Sequence, residues 1–184
     1  GSLGAAVVLA GVWMAFSGAH VLPVITWMHM MTGDLADAEG NWMPNGMRLL
    51  AQIVGALLAI LMMTEMGAIE STWDLVQPGF DSPDAWGAIM MVAAGAIFWT
   101  VHTRADSAWV TGFAVMALAG MMGMTYDVTT AAGDVVVSTT GAGEMASSIA
   151  SSGHEVVAIA QAWIVDGLLC GLGALVAVKA DEML

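Results

Sequence analysis

Five stretches of this chain stay apolar for close to the length of a bilayer crossing. That repetition constrains the fold more than any motif does. The stretches cover about 4–31, 47–68, 85–102, 108–125 and 154–178, and a helix needs about 20 residues to cross the hydrocarbon core. Backbone groups find no water there and must bond within their own segment, so each run reads as helix. The predicted fold is an all-α integral membrane protein, a multi-pass bundle of about five transmembrane helices forming one domain over 1–184. Composition agrees: 59% of residues are hydrophobic and 10% charged, where a soluble domain carries about a quarter charged residues.

Local signals mark the ends and bends. Pro23 lies inside the first run, lacks a backbone donor and crowds the preceding turn, so the sequence predicts a kink near residues 19–23. Runs three and four are joined by "TRADSA", which reads as a tight helical hairpin. Asp84 or Ser82 stands where a cap for the third helix belongs. Two longer connections, 69–84 and 126–153, fall on the opposite side as outer loops. In the second, "VVVSTT" predicts a short strand and "GEMASSIASS" a short helix lying on the membrane.

Charge gives an orientation and excludes some functions. With five crossings, Arg48, Arg104 and Lys179 all fall on one side. The other side carries Glu70, Asp74, Asp81, Asp84, Asp127, Asp134 and Glu144 and no cation. Lys and Arg collect on the cytoplasmic side, which predicts the N-terminus outside and the C-terminus in the cytoplasm of a cell-membrane protein. The whole chain has 3 Lys+Arg against 16 Asp+Glu, a net charge of −13. A nucleic-acid binder needs a basic face, so nucleic acid is excluded as a partner. The acidic surface also predicts a halophilic protein, because carboxylates retain water and ions in molar salt. The lone cysteine, Cys170, rules out an internal disulfide and reads as a small buried hydrophobe.

The residues able to carry chemistry are few. His20 lies in the first run, His29 and His102 near the predicted cytoplasmic ends of the first and third runs, and His154 at the start of the fifth. Along one straight helix His20 and His29 would stand ~13 Å apart on roughly opposite faces, too far to share one ion. His29 and His102 match in depth and form the candidate axial pair for a b-type haem. His20 would need a different partner. Asp166 falls mid-way along the fifth run, where a charge costs a few kcal/mol and an ionisable residue signals function. His20 and Asp166 have similar predicted depths, so a buried pair between them would make a proton or ion pathway, joined by Gln161 and Glu65. Soft ligands are plentiful, with 17 methionines. Met28 beside His29, Met62 and Met66 one turn apart, and the neighbours His154 and Glu155 form a mixed set in which thioethers favour copper(I). The plainer reading is that methionine fills gaps between helices.

The stretch "AHVLPVITWMH" is similar to the first helix of copper-resistance membrane proteins and of small haem-pathway membrane oxidases. It covers about a dozen residues, lacks the basic positions of the second group, and assigns no family. No phosphate loop, nucleophile triad or HExxH motif is present, so the chain is not expected to be an enzyme on its own. Three classes of function stay open. One is a membrane subunit of a redox or electron-transfer complex that binds haem b or contacts quinone. The second is an ion, proton or copper conductor. The third is a non-catalytic subunit packed against larger membrane partners.

Overall fold

The computed structural model describes residues 3–16, 18–67, 82–123, 126–129, 135–138, 142, 145, 146, 149 and 156–184. The chain runs α1 (Leu3–Ala15), α2 (Pro23–Thr32), a single π-type turn (Ala38–Trp42), α3 (Met43–Glu65), α4 (Ala85–Arg104) and α5 (Ala108–Leu118). A 3₁₀ turn (Ala119–Met122) extends α5. Two four-residue strands, β1 (Tyr126–Thr129) and β2 (Val135–Ser138), pair antiparallel, and α6 (Val156–Met183) ends the fold. Three helical stretches are long and apolar enough to cross a membrane: Ala38–Met62, Ala85–Arg104 and Ile159–Met183. The apolar helices Leu3–Ala15 and Ala108–Met122 are shorter than a full crossing.

The first apolar run is where expectation and structure part. A kinked helix over 4–31 was the expected form, but α1 and α2 are separate helices with non-helical backbone between them. Pro23 explains the restart. It occupies the first turn of α2, where its missing N–H has no intrahelical partner to lose. Gly18 adopts a left-handed φ of 76°, a conformation open at little cost only to glycine. The break is held by the Trp13 indole, which donates to the Ala19 carbonyl at 2.9 Å.

Elsewhere the local signals act as read. Asp84 caps α4 by accepting from the Gly87 N–H at 2.6 Å; Ser107 caps α5 through the Val110 N–H, a cap the sequence reading did not name. Residues 135–138 of "VVVSTT" form β2. Of "GEMASSIASS", Met145, Ala146 and Ile149 are helical; Met145 and Ala146 are buried, Met145 against Ile159 and Trp163, and Ile149 is 44% exposed. Most of that segment, and residues 69–81 of the first outer loop, lie outside the described residues.

The core lies between α2, α4, α5 and α6, around Ile25, Met28, Phe98, Val115, Met122 and Cys170. Glycines set how closely these helices approach. A Cβ on Gly173 would strike the Val92 carbonyl, and one on Gly95 would strike the Cys170 backbone, so α4 and α6 meet backbone to backbone. Gly167 and Gly171 receive Trp27 and Met31 of α2, and Gly112 receives the Ala6 and Ala10 turn of α1. The small-residue face of α6 is therefore used inside the bundle. At the C-terminal ends of α4 and α6, Arg104 pairs with Asp181 at 2.5 Å.

Candidate functional site: a histidine cluster at the break

The interruption after α1 decides the site. It returns residue 20 alongside α2, and the His20 ring stacks on His29 with centroids 4.1 Å apart and planes 13° from parallel. The expectation that these two histidines lie ~13 Å apart on opposite faces fails, because it assumed one continuous helix. His29 in turn meets His102 of α4 edge-on at 5.9 Å, and Trp99 of α4 edge-on at 4.9 Å. Phe98 stacks on His102 at 5.5 Å and closes the cluster toward the core. Three of the chain's four histidines thus touch in sequence, contributed by the break, α2 and α4.

Helix α3 supplies polar support. The Gln52 amide donates to the His20 carbonyl and, at 3.2 Å, to the Thr26 hydroxyl of α2. One turn back, the Arg48 guanidinium donates to Asn45 Oδ1 at 2.6 Å. The Asn45 amide reaches Asn41 at 2.9 Å and 3.0 Å, and the Asn41 amide reaches the Met30 and Asp34 carbonyls at 2.8 Å and 3.0 Å. This ladder fastens the start of α3 to the end of α2, directly below the histidines. The π-type turn begins it: Asp37 accepts from the Gly40 N–H at 2.7 Å, and the widened turn places Asn41 inward.

Some bonds in the cluster are unmade. His20 Nδ1, His102 Nδ1 and Gln52 Oε1 are buried and have no hydrogen-bond partner among the described residues. Leaving such an atom unsatisfied costs on the order of 1–3 kcal/mol, so each marks a place in the cluster where a ligand or water belongs. The ring arrangement limits which ligand. Imidazoles sharing one ion turn their nitrogens onto it at about 2 Å, whereas stacked rings present their faces to one another. Among the described residues no group of three or more His, Cys, Asp or Glu is placed to hold a metal ion. A haem plane between His29 and His102 would require α2 and α4 to separate, since the two rings are already in contact.

The remaining predicted site residues are dispersed. Met28 is fully buried in the core. Met62 and Met66 are 63% and 77% exposed at and just beyond the C-terminal end of α3, and Glu65 beside them is exposed. Gln161 also faces outward, so it joins no polar line with Asp166. His154 and Glu155 lie outside the described residues. No contact joins His20 to Asp166; Asp166 lies instead against Gly123, Trp27 and Trp163.

Sequence reasoning missed Gln52, Trp99 and the asparagine ladder. The signal was present: Asn41, Asn45, Arg48 and Gln52 recur at spacings of four, three and four, one polar stripe along an otherwise apolar helix. In comparisons with known proteins, no family model, no curated protein and no solved structure matches this chain.

Proposed function

We propose that this protein is a membrane-embedded subunit of a larger redox assembly, in which the His20–His29–His102 cluster binds a redox-active ligand near the cytoplasmic face. The observation that carries this reading is the convergence of three histidines with two unsatisfied Nδ1 atoms in the apolar part of the bundle. A quinone headgroup makes the smallest demand on this geometry. Its two carbonyl oxygens accept hydrogen bonds from imidazole N–H groups, and its flat ring matches the aromatic wall of Phe98 and Trp99. A b-type haem asks for more, because α2 and α4 must part to admit the porphyrin. Copper is supported least, since the thioethers of Met28, Met62 and Met66 do not converge.

In this reading the chain crosses the cell membrane five times. The short helices α1 and α5 lie against one another through Gly112 and complete the bundle beside the three full-length spans. The C-terminal ends of α4 and α6, with Arg104 and Lys179, point to the cytoplasm, as the positive-inside rule requires.

The test is made on protein purified with its native lipid. Quinone content is measured after extraction, metals are quantified, and absorption is recorded before and after dithionite. Bound quinone, or a Soret band with sharp reduced bands, is expected in the wild type and absent in His29→Ala and His102→Ala at unchanged helix content. A sample with no quinone, no haem and no metal overturns the redox reading and leaves a structural subunit.

A further inference from the structure

A second buried polar site shares no residue with the histidine cluster and does not depend on the redox reading. A cavity of about 10 Å³ lies between α2, the 3₁₀ turn and α6, room for about one water molecule. It is lined by Pro23, Val24 and Trp27 from α2, Met122 from the turn, and Trp163, Asp166 and Gly167 from α6. The indole N–H groups of Trp27 and Trp163 are both buried and have no acceptor among the described residues. Trp163 is only 8% exposed, and lipid offers no acceptor in its place.

Glycine shapes the site on two sides. Gly167 has no Cβ where the Trp27 ring lies, so that indole rests on the α6 backbone. Gly123, at a left-handed φ of 68°, has none where one would come within 2.5 Å of the Asp166 carboxyl group. Among the described residues, Asp166 is the only ionisable group lining the cavity. The faces opposite it carry Pro23, Val24 and Trp27 from α2, Met122 from the turn, and Met91 of α4 beside Gly123. Cys170, one turn along α6, is the other titratable group in electrostatic reach.

We propose that Asp166, Trp27 and Trp163 hold one water molecule and together form a proton-binding site inside the membrane-spanning part of α6. A carboxyl group serving only to tie helices together would take an indole as its direct partner. Here both indole N–H groups lack an acceptor among the described residues, and both tryptophans line a water-sized cavity. A water in the gap accepts from the two N–H groups through its two lone pairs and donates to the Asp166 carboxylate, which gives both indole donors an acceptor. Proton uptake forms one O–H bond at an Asp166 oxygen. The proton comes from bulk water and returns to it, and no other group changes charge.

Infrared difference spectroscopy of the full chain in bilayers, titrated in H₂O and in D₂O, tests this. A carboxylic C=O band is expected to grow as pH falls, to be lost in Asp166→Asn, to shift in D₂O, and to move in Trp163→Phe and Trp27→Phe. The tryptophan variants each remove one N–H donor and keep a ring. If Asp166→Asn does not fold, the D₂O shift of the wild type and the two phenylalanine variants still decide. The proposal is overturned if no pH-dependent carboxyl band appears, if the band ignores D₂O, or if neither phenylalanine variant moves it.

Discussion

Helices α3 and α6 are both long and apolar, yet they are built for different neighbours. In the spanning window of α6, 39% of residues are buried within the chain; in that of α3 the share is 6%. Glycine accounts for the difference. Gly167, Gly171 and Gly173 line α6 and admit Trp27, Met31 and the α4 backbone. In α3, by contrast, Gly46 and Gly55 face open space, and Leu50, Leu58 and Leu61 point outward. Apolarity alone does not make a core residue in a membrane, where lipid tails are as apolar as leucine; close approach does. What α3 gives the bundle is a polar seam, through Asn41, Asn45 and Gln52.

The most direct way to break this comparison is to fill the α4–α6 contact. Gly173→Val places a branched side chain where the Val92 carbonyl and Ala96 amide lie. Neither backbone group can yield without parting the helices. A loss of about 3 kcal/mol is expected, at the upper end of overpacking costs. Reversible unfolding in mixed micelles measures it. A loss near zero would mean that α4 and α6 do not touch at this point.

Next in size is the seam itself. Asn41 is 6% exposed and spends its amide on two carbonyls at the end of α2. Asn41→Ala leaves the Met30 and Asp34 carbonyls without their donor, while the Asn45 amide keeps its bond to the backbone carbonyl of residue 41. About 1–3 kcal/mol is expected, as for other buried hydrogen bonds broken on one side. The histidine cluster should loosen with it, because α3 then carries Gln52 away from His20. Measured by hydrogen exchange, the amides of the first two turns of α3 should lose protection while those of α6 keep theirs. Equal loss in both helices would mean that the seam belongs to the global core.

The reach of sequence reading follows the same division. The long apolar helices, the Asp84 cap and the buried Cys170 were legible, because each depends on neighbours within one or two turns. The break at residues 16–22 was half legible. Pro23 signalled a disturbance, but proline kinks a helix or starts one depending on what precedes it, and Gly18 with the Trp13 indole selects the second outcome. That one local choice moved His20 from the far face of a helix onto the ring of His29, so the candidate site could not be assembled from spacing. Asp166 was legible as an anomaly. Its neighbour Trp27 was not, because it comes from 139 positions upstream, whereas Trp163 stands one turn back on α6 and could have been found by helical spacing.

A smaller effect is expected at the Arg104–Asp181 pair. Both side chains are about half exposed or more, 62% and 49%. Such pairs contribute about 0–1 kcal/mol and are screened by salt. Arg104→Gln should therefore cost under about 1 kcal/mol in dilute buffer and nothing measurable in molar salt. A larger loss that persists in salt would make this end of α4 and α6 part of the core, and would move the boundary between the two regions.

The smallest effect is predicted on the outward face of α3. Leu58 is 56% exposed and Leu61 54%, and neither faces a glycine or a polar group of another helix. Truncating both to alanine exchanges leucine–lipid contact for alanine–lipid contact. The stability of the isolated bundle should change by less than about 0.5 kcal/mol, the range of substitutions that touch no packed neighbour. The informative arm is the same double variant in native membranes. If it stays neutral there as well, the face is lipid-exposed. If it lowers the yield of the chain only when its natural membrane is present, then another subunit covers α3, and the contrast with α6 becomes one between an internal core and an external one.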